Sequence, residues 1–189
     1  KYYGNTIEEI KNIWEINKNE AAEAGTKMHL DIEKFYNNID VDNKSIEFQQ
    51  FLKYQEDYKD LKPYRTEWMI YDDELKLAGS IDMVYENSDG TLQIRDWKRS
   101  KQIVRNKRFE DYAITKCINH IPNLNFWHYA LQLNTYKSIL ERKYDKKVKD
   151  LYLVVFHPTQ TNYQIIEIPD MEEEIKELLN HRKIQIEKT

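Results

Sequence analysis

Apolar residues recur three and four apart from Thr6 to about Asn37: Ile7, Ile10, Ile13 and Trp14 mark one stripe, and Met28, Ile32, Phe35 and Tyr36 a later one. That spacing predicts helix, as one element or as two divided near Gly25. Over residues 65–98 the period changes to two. "RTEWMIY" reads as a strand, "DDE" as a turn, and "LKLAGSIDMVYE" as a second strand with Leu75, Leu77, Ile81, Met83 and Tyr85 on alternate positions. "NSDG" is a strong turn signal, and "TLQIRDWK" supplies the third strand of a meander. "FEDYAITKCI" and "HYALQLNTYKSILERKY" follow as helices, then "DLYLVVFH" and "YQIIEI" as late strands of the same sheet. "DMEEEIKELLNHRK" closes as a helix whose first turn is acidic, where the helix dipole favours negative charge. The order predicts an α/β protein with a single mixed central β-sheet flanked by helices.

The 189 residues fit one domain, 1–189, large enough to bury a core without covalent staples. A start at Lys1 rather than Met reads as a domain excised from a longer chain, which leaves other domains or an organelle-targeting segment open. No apolar run approaches the roughly 20 residues that span a bilayer, so a membrane is not an expected partner. Cys117 is the only cysteine, which excludes an internal disulfide, a cysteine-held iron–sulfur cluster and a multi-cysteine zinc site within this chain. An intracellular, reducing compartment is the expectation.

The net charge of −4 argues mildly against a nucleic-acid partner, but its distribution argues the other way. Between Arg95 and Arg108 stand seven cations (Arg95, Lys98, Arg99, Lys101, Arg105, Lys107 and Arg108) against one acid, Asp96. A local basic stripe is the footprint of phosphate binding, whatever the total charge. A solvated loop in a charge-rich protein would have the same composition.

Side chains two apart on a strand share a face, so Asp96 and Lys98 point the same way. If the hairpin turns about Asp89, partners sum to 178 and Asp82 lies across from Asp96, with Cβ atoms about 5 Å apart. Two carboxylates so placed repel unless a cation joins them, and Mg²⁺ is commonly held by one or two carboxylates with water and phosphate oxygens. Asp-x-Lys itself carries little information, since it recurs at Asp42/Lys44, Asp57/Lys59, Asp60/Lys62 and Asp145/Lys147. Only Asp96/Lys98 lies on a predicted strand with an acid across a hairpin. Leu92 and Ile94 share the Asp96 face, so alternation alone does not say which face holds a cleft. Glu67 depends on the preceding turn: a two-residue loop pairs it with Ser80 on the face of Asp82, and a three-residue loop turns it away.

"GSID" at 79–82 followed by "DWK" at 96–98 resembles the core of the PD-(D/E)XK nuclease superfamily. "GTKMH" at 25–29 resembles the G-T-x-x-H helix motif of RecB-type nuclease domains, and "QLNTY" at 132–136 their Q-x-x-x-Y motif. Q-x-x-x-Y alone is weak, because Gln50/Tyr54 also fits it, but the four pieces stand in the family's order and span more than half the chain. "NFWHYALQLNTYKSILE" also resembles members from large DNA viruses, which would place the protein in an infected host.

The resemblance implies a restriction-endonuclease-like core and a phosphodiester hydrolase needing Mg²⁺ or Mn²⁺. It implies metal ligation by His29, Asp82 and Asp96, with the Trp97 carbonyl as a further ligand, and Lys98 as the catalytic lysine. Glu67 is a further candidate, since several relatives carry an acid on the first strand. Gln132 and Tyr136, one turn apart on a helix, would grip the substrate or orient Lys98. Arg99, Lys101, Arg105, Lys107 and Arg108 would track the backbone of DNA, with Trp97, Phe109, Tyr112, Phe126 and Trp127 as candidate base-stacking aromatics. His120, His128, His157 and His181 read as structural. Likeness to lambda exonuclease, RecB-type domains and the mitochondrial genome maintenance exonuclease points to DNA with free or single-stranded ends, in recombination, repair or replication. A structure-specific or cap-snatching-like RNA endonuclease and a catalytically inactive nucleic-acid-binding module stand as alternatives. The iron–sulfur branch of the family, which uses cysteines, is excluded for this segment.

Overall fold

In a computed structural model describing residues 2–108 and 111–188, the elements run α1 (Ile7–Tyr36), α2 (Ile46–Asp57), β1 (Lys62–Asp72), β2 (Leu77–Glu86), β3 (Leu92–Arg99), α3 (Asn125–Lys143), β4 (Val148–Phe156), β5 (Gln164–Glu167) and α4 (Glu172–Glu187). The five strands form one sheet in chain order. β1, β2 and β3 are a meander, β3 and β4 pair in parallel, and β5 returns antiparallel on β4. α3 is the crossover that parallel pairing requires.

Each face of the sheet has its own core. On one face α1 and α2 bring Met28, Ile32, Phe48, Phe51 and Tyr54 onto Met83, Tyr85, Trp97, Val154 and Phe156. On the other, α3 and α4 bring Phe126, Ala130, Leu133, Leu140 and Ile175 onto Trp68, Ile81, Ile94, Leu153 and Val155. The mixed α/β architecture anticipated from the apolar pattern is therefore present.

α1 is one helix, not two. A capping box starts it, Thr6 accepting from the Glu9 backbone while Glu9 accepts from the Thr6 N–H, and it passes through Gly25 unbroken. A Cβ at Gly25 would meet nothing, so this glycine serves neither a break nor close packing. α2 was not anticipated, although its signals are in the sequence: Ser45 caps the Phe48 N–H, and Phe48, Phe51 and Tyr54 recur every third residue. The helix expected over 109–118 does not form as such. Phe109 and Glu110 lie outside the described residues, and the rest holds only a 3-10 turn at Lys116–Ile118. Here the backbone bonds across a loop instead of along a helix, Ala113 N–H to Ile121 and Asn123 N–H to Asp111, closing a bridge between Tyr112 and Pro122.

Candidate active site

The β2–β3 hairpin has the expected register: Met83 faces Arg95, Val84 faces Ile94, and Glu86 faces Leu92. The ladder stops one step before Asp82 and Asp96. There the Asp82 carboxylate supplies the missing acceptor, Oδ2 taking the Trp97 N–H at 2.8 Å. β1 is disturbed at the same level. Its register passes from Thr66–Met83 to Trp68–Ile81 with Glu67 and Asp82 between them, and Glu67 has φ of 45°. A left-handed glutamate inside a strand is strained and persists only when its surroundings hold it.

This irregularity changes the sheet's phase. Ile81 packs with the α3 side and Met83 and Tyr85 with the α1–α2 side, so the simple alternation expected from Leu75 to Tyr85 slips by one at Asp82. The β1–β2 turn also differs from both loop lengths considered: Asp72 pairs with Leu77, leaving four residues between. Glu67 therefore falls opposite Asp82 rather than Ser80. Its side chain is nevertheless held by Ser80, whose Oγ donates to Oε2 at 3.0 Å.

α1 completes the cluster. His29 Nδ1 lies 3.5 Å from Asp82 Oδ1 and 4.0 Å from Glu67 Oε1, and ligand atoms of the three residues all lie within 4.8 Å of one another. One imidazole nitrogen and two carboxylate oxygens are a donor set that Mg²⁺ or Mn²⁺ accepts, Mn²⁺ taking the nitrogen more readily. Asp96 is turned elsewhere: its carboxylate forms an ion pair with Lys98. Tyr129 of α3 covers that lysine, with Nζ 4.6 Å from the ring centroid. The Asp96 face is thus the α3 face, and Leu92 and Ile94 belong to the core beneath that helix.

The electrostatics follow from burial and crowding. Burial first, and the Asp82 charge after it, raise the Asp96 carboxyl to about 7, with Lys98 offsetting only part of the rise. Burial alone would lower the pKa of Lys98, but the Asp96 charge and hydrogen bond prevail and raise it, so it is an ammonium. His29 follows the same balance: burial pulls it down, and the Asp82 hydrogen bond and the Asp82 and Asp96 charges carry it above its ordinary value. Glu67 is raised by burial and then by Asp82. A site that raises the Glu67 and Asp96 carboxyls and shifts the His29 imidazole towards its charged form is short of positive charge, which is the condition a divalent ion relieves.

Gln132 and Tyr136 meet on one face of α3, Gln132 Nε2 donating to the Tyr136 hydroxyl at 2.9 Å. The competing Gln50/Tyr54 pair is structural. Gln50 ties α2 to the end of β4 through His157 and Gln160, and Tyr54 accepts from the Arg95 guanidinium at 2.8 Å. Arg95 leaves the basic stripe altogether. It points to the α2 side, buried among Tyr54, Tyr58, Tyr85 and Tyr152.

Arg99 is engaged by Glu47 of α2 at 2.7 Å. Lys101 is exposed, and Arg105 lies 4.8 Å from the Phe126 ring and 5.6 Å from that of Trp127. The Trp97 side chain is core, so only its backbone adjoins the site. His120, His128 and His157 bond Glu174, Asn123 and Thr159 respectively. Tyr129, over Lys98, is not among the residues the sequence singles out. Tyr129 could have been found three residues before Gln132 on the same helix face.

Residues 44–189 match the PD-(D/E)XK nuclease superfamily. The chain belongs to that superfamily. His29 lies ahead of the matched stretch, and the packing of α1 on the sheet brings it to Asp82 and Glu67. No curated protein matches the chain. Among solved structures, a Eubacterium rectale protein provisionally assigned as an exonuclease is 14% identical, over 82% of this chain and 70% of that one, with a TM-score of 0.37. The structure described as SSO0001 is 15% identical, over 92% and 68%, also with a TM-score of 0.37. At these levels neither likeness bears on substrate or polarity. Among the described residues of this PD-(D/E)XK nuclease, no helix is long and apolar enough to cross a membrane.

Proposed function

We propose that this nuclease is a divalent-metal-dependent deoxyribonuclease that works from DNA ends. The observation carrying the reading is the convergence of His29, Glu67 and Asp82, from three separate elements, beside the buried Asp96–Lys98 pair. His29, Glu67 and Asp82 would hold Mg²⁺ or Mn²⁺, joined by Asp96 once its carboxylate swings from Lys98, with the Trp97 carbonyl beside them. When bound, such an ion supplies charge neutralisation at the phosphate and a more acidic water.

The chain's own residues do the rest. Asp82, fixed by the Trp97 N–H, keeps one oxygen directed at His29. Lys98, protonated and shielded from solvent, offers a fixed positive charge where the pentavalent phosphate gains negative charge. Water attacks phosphorus in line and gives up a proton, the bond from phosphorus to the 3′ oxygen breaks, that oxygen leaves as a hydroxyl, and a 5′-phosphate remains. Gln132 and Tyr136 grip the strand, and Lys101, Arg105, Lys107 and Arg108 track its backbone. Exposed Tyr112 and half-buried Trp127 supply stacking faces. The preference for ends rests on the joint His29, Gln132 and Tyr136 motifs and on phosphate contacts, which carry no base sequence.

The test is digestion of end-labelled linear DNA beside a covalently closed single-stranded circle of the same sequence, with Mg²⁺, Mn²⁺ or EDTA. Linear DNA should disappear with metal, the circle should persist, and EDTA should stop the digestion. Equal rates on the two substrates would leave an endonuclease; cleavage of RNA alone would move the substrate class.

A further inference from the structure

The Q-x-x-x-Y helix, α3, lies over the strand that carries Asp96 and Lys98. α3 is held firmly. Asn125 accepts from the Val104 N–H and donates to the Gln102 carbonyl, and Trp127 Nε1 donates to the Arg105 carbonyl. Further along, Asn134 spans to Pro169 and Met171 ahead of α4. One face of this anchored helix presents Tyr129, Gln132 and Tyr136, spaced three and four apart. Tyr136 sits against β2 at Gly79, and Tyr129 sits over the Lys98 ammonium on β3.

Lys98 needs such a support. A lysine side chain has four rotatable carbons, and an ammonium is held by direction only where several partners surround it. Here the Asp96 carboxylate and the face of the Tyr129 ring are both against it. Were the Asp96 carboxylate to serve a bound metal ion, the ring face would be the contact left to Lys98, because it attracts the cation without competing for the metal.

We propose that Tyr129 is a positioning residue for Lys98: its ring holds the lysine ammonium toward the scissile phosphate, so that the functional face of α3 is Tyr129–Gln132–Tyr136 rather than the last two alone. The inference rests on the nuclease reading and on Lys98 as its catalytic lysine. Because the ring face rather than the hydroxyl does the holding, phenylalanine should replace tyrosine and an aliphatic side chain should not.

Two measurements on the whole chain test this. In single-turnover cleavage with saturating Mn²⁺ and DNA, Tyr129→Leu should lose about tenfold in rate, the scale of one desolvated cation–π contact, with DNA and Mn²⁺ dissociation constants unchanged. Tyr129→Phe should stay close to the unsubstituted rate. Independently of activity, reductive methylation read by mass spectrometry should find Lys98 protected in the original protein and in Tyr129→Phe, and several-fold more reactive in Tyr129→Leu. Tyr129→Met serves the same purpose if the leucine variant melts too low. A Tyr129→Leu protein with normal rate or unchanged Lys98 labelling would overturn the assignment, as would a Tyr129→Phe protein as defective as Tyr129→Leu. If the unsubstituted protein cleaves no nucleic acid, the nuclease reading of this chain fails, and the labelling still decides whether Tyr129 holds Lys98.

Discussion

Tyr136 fills the space that a side chain at Gly79 would need: a Cβ built on Gly79 would lie 2.5 Å from Tyr136 Cε1 and 2.9 Å from its hydroxyl. The glycine of "GSID" is thus explained by a residue 57 positions away, and it joins β2 to the face of α3 that carries Gln132. Gly79→Ala should displace the ring, costing about 1–3 kcal/mol of stability as overpacking does, and should lower cleavage. In a Tyr136→Ala background the same substitution should cost little of either. Additive losses in the double variant, read by denaturation and cleavage rate, would show that the two positions do not communicate.

Asp82 has two tasks that can be separated. Asp82→Asn and Asp82→Ala should both abolish cleavage by removing a ligand charge. The amide still accepts the Trp97 N–H, whereas alanine leaves that buried donor unpaired, at about 1–3 kcal/mol. Only Asp82→Ala should therefore lower Tm markedly. Near-normal turnover in either cleaned preparation would remove Asp82 from the site.

Asp96 makes the metal-free protein sensitive to pH. Its carboxyl is raised from an ordinary 3.8 to about 7 by burial and by Asp82. Between those values the folded state binds more protons than the unfolded state, so this group's contribution to stability falls as pH rises through the window. As a proposed ligand, Asp96 would give up this proton to bind metal, so Mn²⁺ affinity should climb towards pH 7 with proton release measurable by calorimetry in buffers of different ionisation enthalpy. Asp96→Asn should abolish cleavage and flatten the stability slope. A slope unchanged in that variant would place the titration elsewhere.

Gly25 stands one turn before His29 in mid-helix, where a Cβ would meet open space. Gly25→Ala should raise stability by about 0.5–1 kcal/mol through helix propensity alone. Since the space beside His29 is where a strand would approach, the same substitution should weaken DNA binding. A fall in Tm would mean that the helix needs the glycine.

The basic run should act on binding rather than chemistry. Replacing Arg105, Lys107 and Arg108 with glutamine should flatten the salt dependence of DNA affinity, by roughly 0.9 in log–log slope per lost duplex contact and roughly 0.7 per single-stranded one. An unchanged slope would show that these residues face solvent.

The sequence by itself determined what depends on neighbours along the chain. The meander, its register summing to 178, the closing acid-first helix and the ordered motif set were legible because turn chemistry and two-residue alternation are local. Asp96 and Lys98 sharing a face follows from strand geometry alone. Tertiary structure decided the rest. Glu67 joined the cluster through a strained φ and a four-residue turn that alternation cannot encode. Asp96 turned to Lys98, and Arg95 left the basic stripe for a tyrosine cage, because packing against α2 and α3 assigns the two faces of β3. Gln132/Tyr136 and Gln50/Tyr54 are the same pattern in sequence; only the first lies over the carboxylate strands, while the second is spent bonding buried backbone and a buried guanidinium. Local rules state which side chains share a face, but which face becomes a core and which a cleft depends on contacts between residues far apart in the chain.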